Sequence, residues 1–241
     1  MIALGSAGPD LALRFRQAEL MDDPDLDPDR RAAALRALGR VNRISLAARR
    51  VWLEVRRAHA SLRRPVRVLD VACGGGDVLI DVARAARRSA LPVELHGCDL
   101  NPVARAEAGA RGAAEDGAPR LFRLDVIRED LPPGYDVICC SLFLHHLDRT
   151  EAVELLRRMA NAAGHALLVQ DLRRTKLGYI LAWVGLHALT RSDVARIDGL
   201  RSVRAAFSVA EARALCADAG LDGVCVEHAW PQRFAITWRR P

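Results

Sequence analysis

Residues 68–77 read VLDVACGGGD. An apolar run that meets an acidic residue and then three glycines reads as a buried strand entering a tight turn. Glycines at 74–76 let backbone come close to a ligand, and the helix after them offers free N–H groups in its first turn. Val78, Leu79, Val82, Ala83 and Ala86 then repeat at helical spacing, and Arg87 and Arg88 close that helix favourably against its dipole. Strand, glycine turn and helix make the first βα unit of a parallel sheet. In such sheets ligands sit beyond the carboxyl ends of the strands.

Working outward, the same rhythm continues. PVELHGCDL (92–100), RLFRLDV (120–126), GYDVICCSLFLHH (134–146) and GHALLVQDL (164–172) read as four further strands, with helices expected over 102–115 and 149–161. The stretch 173–206 is helical and interrupts the alternation. Ser208, with Glu211 three residues on, marks the start of the last helix. Two closing strands near 222–229 and 232–239 form a hairpin that adds one antiparallel strand at the sheet edge. Upstream, residues 10–21 suit a short helix that stops at DDPDLDPD (22–29), where Asp27 caps and Pro28 opens the next helix. A long amphipathic helical region follows over roughly 30–60. The expected fold class is α/β: a Rossmann-like, doubly wound, mostly parallel seven-stranded sheet with N-terminal helices. Residues 1–62 form the N-terminal helical region, and 63–241 the main domain with an insert at 173–206.

The formal charge of +6 invites a nucleic-acid partner, but its distribution argues against one. Lys176 is the only lysine, and the arginines are scattered without a run of five or an interleaved aromatic surface. Cys73, Cys98, Cys139, Cys140, Cys216 and Cys225 contain no C-x-x-C pair, so they read as small core residues in a reducing cytoplasm rather than a zinc site. The N-terminus carries no signal-peptide pattern. The longest apolar run, Leu177–Leu189, is shorter than the roughly 20 residues a membrane span needs. Expected partners are therefore a small-molecule acceptor, with no nucleic acid and no membrane span, for a cytoplasmic monomer or homodimer.

The glycine turn does not match the phosphate-binding patterns. Position 79 is Leu where G-x-G-x-x-G needs glycine, and Gly-Lys-Ser/Thr is absent. Acidic residues instead follow the strands in order: Asp70, Asp99 and Asp125. Three carboxylates around one ligand repel a pyrophosphate. They suit a ligand with a cationic amino group, a ribose diol and an adenine amine, which S-adenosylmethionine combines with a positive sulfonium. As a set, VLDVACGGGD, CDLNP (98–102), LDV (124–126) and YDVICCSLFLHHL (135–147) resemble the motifs of class I S-adenosylmethionine-dependent methyltransferases, over roughly residues 65–172. The resemblance implies Asp70 and Gly74 at the methionine end, Asp99 on the ribose, and Asp125 with Val126 beside adenine. It also assigns Ala72, Cys73, Gly76, Leu100 and Ser141 to the cofactor's surroundings. Arg40, Asn42 and Arg43, from the N-terminal helices, are candidates for the methionine carboxylate.

Methyl transfer from a sulfonium needs alignment above all, and a hydroxyl acceptor must also lose a proton. His145 and His146 follow the fourth strand, and Asp171 ends the fifth, so their rims face one pocket. Similar small-molecule O-methyltransferases pair a His and an Asp at these places. That implies His145 as base, oriented by Asp171, with His146 the alternative base and a rate that rises through the histidine pH range. Asp171 has no adjacent acid, so no metal is expected. The insert 173–206, with Tyr179 and Trp183, reads as a lid over a lipophilic acceptor, or else as a buried packing helix. Asp198, Arg201, Ser202 and Arg204 are candidates for the acceptor's polar parts. This tail resembles bacterial methyltransferases of polyketide-type phenols and pyrones, relatives of the quinone-pathway enzymes. C- or N-methylation, an RNA or protein substrate, a non-catalytic cofactor-binding protein and a nicotinamide-dependent oxidoreductase are the competing readings.

Overall fold

The computed structural model describes residues 10–23, 25–44, 46–112 and 119–241, with side chains throughout except at 22 and 38–44. Its strands are β1 (Val66–Val71), β2 (Val93–Cys98), β3 (Arg120–Phe122), β4 (Tyr135–Ser141), β5 (Ala163–Leu172), β6 (Cys225–Ala229) and β7 (Arg233–Arg239). They form one seven-stranded sheet in the order β3-β2-β1-β4-β5-β7-β6. The first five pair in parallel, and β7 runs antiparallel to both β5 and β6. The Rossmann-like, mostly parallel sheet is thus as expected. The hairpin differs in one respect: its antiparallel strand, β7, lies inside the sheet, and β6 forms the edge.

Eight helices are described: α1 (Pro28–Ile44), α2 (Ala47–Leu62), α3 (Asp77–Arg88), α4 (Pro102–Gly112), α5 (Arg149–Ala162), α6 (Lys176–Leu189), α7 (Asp193–Ala205) and α8 (Val209–Asp218). Val51 and Val55 of α2 and Leu79 and Val82 of α3 cover one sheet face over Val68, Val137 and Leu168. Leu155 and Met159 of α5 and Leu215 of α8 cover the other over Leu69, Ile138 and Leu167. Because side chains alternate along a strand, neighbouring Cys139 and Cys140 pack into opposite layers. Four cysteines are buried, as a core role requires, but Cys73 is half-buried and Cys225 is exposed on β6.

Local chemistry sets the helix ends. Asp27 accepts from the Arg30 N–H at 2.9 Å as α1 opens. Asp148 with Glu151, and Ser208 with Glu211, form reciprocal capping boxes on α5 and α8. The helical region at 30–60 divides in two, because Leu46 takes a left-handed backbone (φ 57°) just before α2. The helix expected over 10–21 is not formed: only Leu20–Asp22 makes a 3₁₀ turn. The segment's polar groups bond outward instead. Phe15 N–H donates to the Arg204 carbonyl at 3.0 Å, and Leu20 and Met21 N–H donate to the Asp198 carboxylate at 2.7 and 3.0 Å. Residues 10–22 form a strap lying along α7.

Candidate active site

In the order 3-2-1-4-5 the order of winding reverses between the parallel strands β1 and β4, and the crevice there is where such sheets bind ligands. Two turns border it. After β1, Ala72 (φ 53°), Gly74 (φ 50°) and Gly76 (φ 70°) reverse the chain into α3. A Cβ on Gly74 would meet nothing within 4 Å, so the loop borders open space. After β4, Leu142 is left-handed (φ 59°) and its N–H donates to the Gln170 carbonyl at 2.9 Å. A left-handed leucine is strained, and it ends the fourth strand at Ser141, short of the expected 146.

The glycine turn and Asp99 come together. Asp99 Oδ2 accepts from Gly74 N–H at 2.8 Å, and Oδ1 accepts from Asn101 N–H at 2.8 Å. Leu100 is 50% exposed beside it. Asp70 lies deeper, 2% exposed, and accepts from the Cys139 thiol at 3.4 Å. Burial, with Asp99 and Asp77 nearby, pushes its carboxyl up to about 7. The Ser141 hydroxyl is buried and finds no protein partner among the described residues. β3 ends at Phe122, so Asp125 belongs to the turn beyond a strand shorter than expected, and Oδ1 accepts from Ile127 N–H at 3.1 Å. Val126 is 5% exposed and packs in the core. Arg43 lies in α1, but its side chain, like those of Arg40 and Asn42, is outside the described residues.

His145 and Asp171 meet as the sequence implies. His145 Nδ1–H donates to Asp171 Oδ1 at 2.7 Å, and His145 backbone N–H donates to Oδ2 at 2.9 Å. Leu172 N–H donates to Oδ1 at 2.6 Å. An ionised carboxylate only accepts, so these bonds place a proton on Nδ1 and leave Nε2 on the far side of the ring from Asp171. That second nitrogen faces a residue sequence reasoning missed: Glu19 Oε1 of the strap, at 3.7 Å. His146 Nε2 lies 3.9 Å from Glu19 Oε2, and the two imidazoles stack with centroids 4.3 Å apart. Ser202 Oγ donates to Glu19. Burial lowers the basicity of His145, but the charge and hydrogen bond of Asp171 and then Glu19 outweigh it and raise it to about 9. Burial works on Glu19 in the opposite sense from its partners, and the histidines and Ser202 hold it at about 2. Burial and the neighbouring His145 charge lower His146 to about 4. The donor atoms of Glu19, His145 and His146 all lie within 4.8 Å of one another, a spacing that a cation could bridge.

The residues expected at the acceptor's polar parts serve the strap instead. The Asp198 carboxylate takes the backbone N–H groups of Leu20 and Met21, Arg201 donates to the Ala18 carbonyl at 2.6 Å, and the Arg204 guanidinium lies 4.5 Å over Phe15. Arg14 completes the attachment, donating to the carbonyls of His145 and Leu147 at 2.8 and 2.6 Å. Charged residues inside a helical insert gave no sign that their partners lie near the chain start.

A seven-stranded Rossmann-like sheet with a glycine turn after β1, an acidic residue after β2 and a polar rim after β4 is the methyltransferase fold. Residues 69–166 match the family model described as a methyltransferase domain. The ubiquinone biosynthesis O-methyltransferase of Pseudomonas entomophila is 27% identical over 137 residues, 56% of this chain and 54% of that protein. The demethylmenaquinone methyltransferase of Deinococcus radiodurans is 31% identical over 133 residues, 54% of each. The chain thus spans about half the length of the curated relatives it matches. Among solved structures, the plantazolicin methyltransferase BpumL, in complex with a desmethyl analogue and S-adenosylhomocysteine, superposes with a TM-score of 0.64 at 15% identity, covering 89% of this chain and 91% of that one. The magnesium protoporphyrin IX methyltransferase of Synechocystis PCC 6803, with S-adenosylhomocysteine bound, does so at 0.54 and 19%, covering 80% and 83%. At these identities the superpositions establish the fold.

Proposed function

We propose that this chain transfers a methyl group from S-adenosylmethionine to an oxygen of a small, lipophilic phenol or enol, with His145 as base and Asp171 as its positioning residue. The observation that carries the reading is the buried 2.7 Å His145–Asp171 pair at the rim beside the glycine turn. When bound, S-adenosylmethionine supplies a methyl group on a positive sulfur, already activated for in-line displacement.

The crevice fits that cofactor. Among the described residues Asp70 is a buried carboxyl without a cationic partner, and an ammonium beside it would draw it back to the charged form. Ser141 has a buried hydroxyl to give, and Asp99 keeps acceptor capacity beside the open face of Gly74. Ala72, Cys73, Gly76 and Leu100 line the same turns, and Asp125 lies toward the adenine side. His145 Nε2 would take the proton of the acceptor hydroxyl, leaving its oxygen nucleophilic toward the methyl group that the cofactor would supply. Asp171 keeps the imidazole in the required tautomer. In this reading the strap, which is bonded to the turn after β4, borders the acceptor side, and the reaction needs no metal.

His146 favours a second reading, because lowered basicity leaves it neutral near pH 7 and its side chain is 29% exposed. Methyl transfer from labelled S-adenosylmethionine to a panel of phenols, pyrones and hydroquinones separates the two. His145→Ala should lower turnover by about 10²–10⁴-fold with cofactor affinity nearly unchanged, and a chelator should leave the wild-type rate intact. Loss of activity in His146→Ala alone assigns the base to His146, and full activity of both variants removes the base altogether.

A further inference from the structure

α6 is apolar on both sides, yet it is buried on only one. Gly178 and Leu186 face inward, and Leu186 packs against Gly199 of α7. Outward, Leu177, Ile180, Leu181 and Val184 fall at i, i+3, i+4 and i+7, each between 45% and 57% exposed, with Trp183 at 44% beside them. A continuous apolar stripe left in solvent marks an interaction surface. The helix is too short and its apolar window too limited to cross a membrane.

Charge decides what covers the stripe. Residues 172–192 contain no Asp or Glu, while Arg173, Arg174, Lys176 and Arg191 flank the apolar run. Arg174 is buried against Glu211, but Lys176 at the start and Arg191 just past the end are exposed. At the C-terminal end, His187, Thr190, Arg191 and Arg196 line an open cavity of about 480 Å³. The nearest acid in sequence, Asp193, pairs with Arg30 at 2.6 Å. A second copy fits this poorly. Two-fold packing of α6 on itself would bring cationic ends together without an acid between them. A 14-residue helix presents a face about 21 Å long and about 10 Å wide, well below the roughly 800 Å² per partner of a stable dimer. An exposed apolar stripe with a tryptophan beside it and a cation at each end is complementary to the surface of an anionic bilayer.

We propose that α6 docks this protein on anionic phospholipid membranes, with Leu177, Ile180, Trp183 and Val184 entering the acyl boundary and Lys176 and Arg191 meeting lipid phosphates. The proposal holds whatever the methyl acceptor is. Co-sedimentation of the full chain with phosphatidylglycerol-containing and with pure phosphatidylcholine vesicles tests it. The wild type should bind the anionic vesicles, weaken at high salt, and show a blue-shifted tryptophan emission that Trp183→Phe diminishes. Ile180→Gln/Val184→Gln should bind at least tenfold more weakly with an unchanged melting curve, as both side chains are solvent-facing. Lys176→Gln/Arg191→Gln should lose about fivefold per charge removed, on anionic vesicles only. Absence of wild-type binding, or equal binding by the Ile180→Gln/Val184→Gln protein, would overturn the proposal. So would light scattering that shows a dimer dissociating in that variant, which would assign the stripe to a second copy.

Discussion

His145 sits between two carboxylates on opposite ring nitrogens, and the two do different work. Asp171 is bonded tightly and fixes the tautomer, whereas Glu19 stands at 3.7 Å, where an acceptor hydroxyl would need to approach. The result is an imidazole raised to about 9, closer to a phenol's own range near 10 than to an ordinary histidine. The wild-type rate should therefore rise with pH toward about 9, above the histidine range expected from sequence. Glu19→Gln removes one of the charges that hold the proton. Its pH–rate profile should shift to lower pH, and Asp171 should keep the maximal rate within a few-fold. A profile that stays in place shows that Glu19 does not govern His145. The serine and aspartates of the crevice were readable as strand-end residues, but the burial of Val126 and the depth of Asp70 were not. Whether a strand-end side chain faces the ligand or the core depends on where the strand stops.

At the scale of elements, one close approach holds the crevice together. β2 passes directly beneath the glycine turn: a Cβ at Gly97 would lie 2.8 Å from Cys73 Sγ and 2.9 Å from Leu79 and Leu121. Nothing in VELHGC marks this glycine, because its need arises from the turn after another strand. Gly97→Ala should force that turn or α3 outward, destabilising the fold by about 1–3 kcal/mol and weakening cofactor affinity. Denaturant unfolding and calorimetric titration would register both, and a variant unchanged in both would show that the loop yields freely. The capping residues Asp27 and Ser208 were legible because a cap is a local bond. The strap was not, because its hydrogen bonds run to α7 and to the turn after β4.

Across the whole molecule, the buried cluster couples folding to pH. His145 moves from 6.5 to about 9 on folding, so its contribution is fully present below 6.5 and fades as pH rises through 9. A shift of this size corresponds to on the order of 3 kcal/mol. Below 6.5 the balance is mixed, since His146, lowered to about 4, opposes folding as it gains its proton in the unfolded chain, and the contribution of Glu19, full above its ordinary 4.5, is lost as pH falls through about 2. Thermal melts from pH 6.5 to 9.5 should show falling stability, with a shallower slope in His145→Gln; equal slopes would show that the cluster is not coupled to folding. The sequence by itself determined the alternation of strands and helices, the glycine turn, and the rim pair His145 and Asp171, since periodicity, turn chemistry and position at a strand end are local properties. Only the tertiary structure decided that Glu19 faces His145, that Asp198 and Ser202 hold the strap rather than a ligand, and that α6 keeps one apolar face in solvent. Each of these depends on which segment packs where, and no spacing within a single segment encodes that.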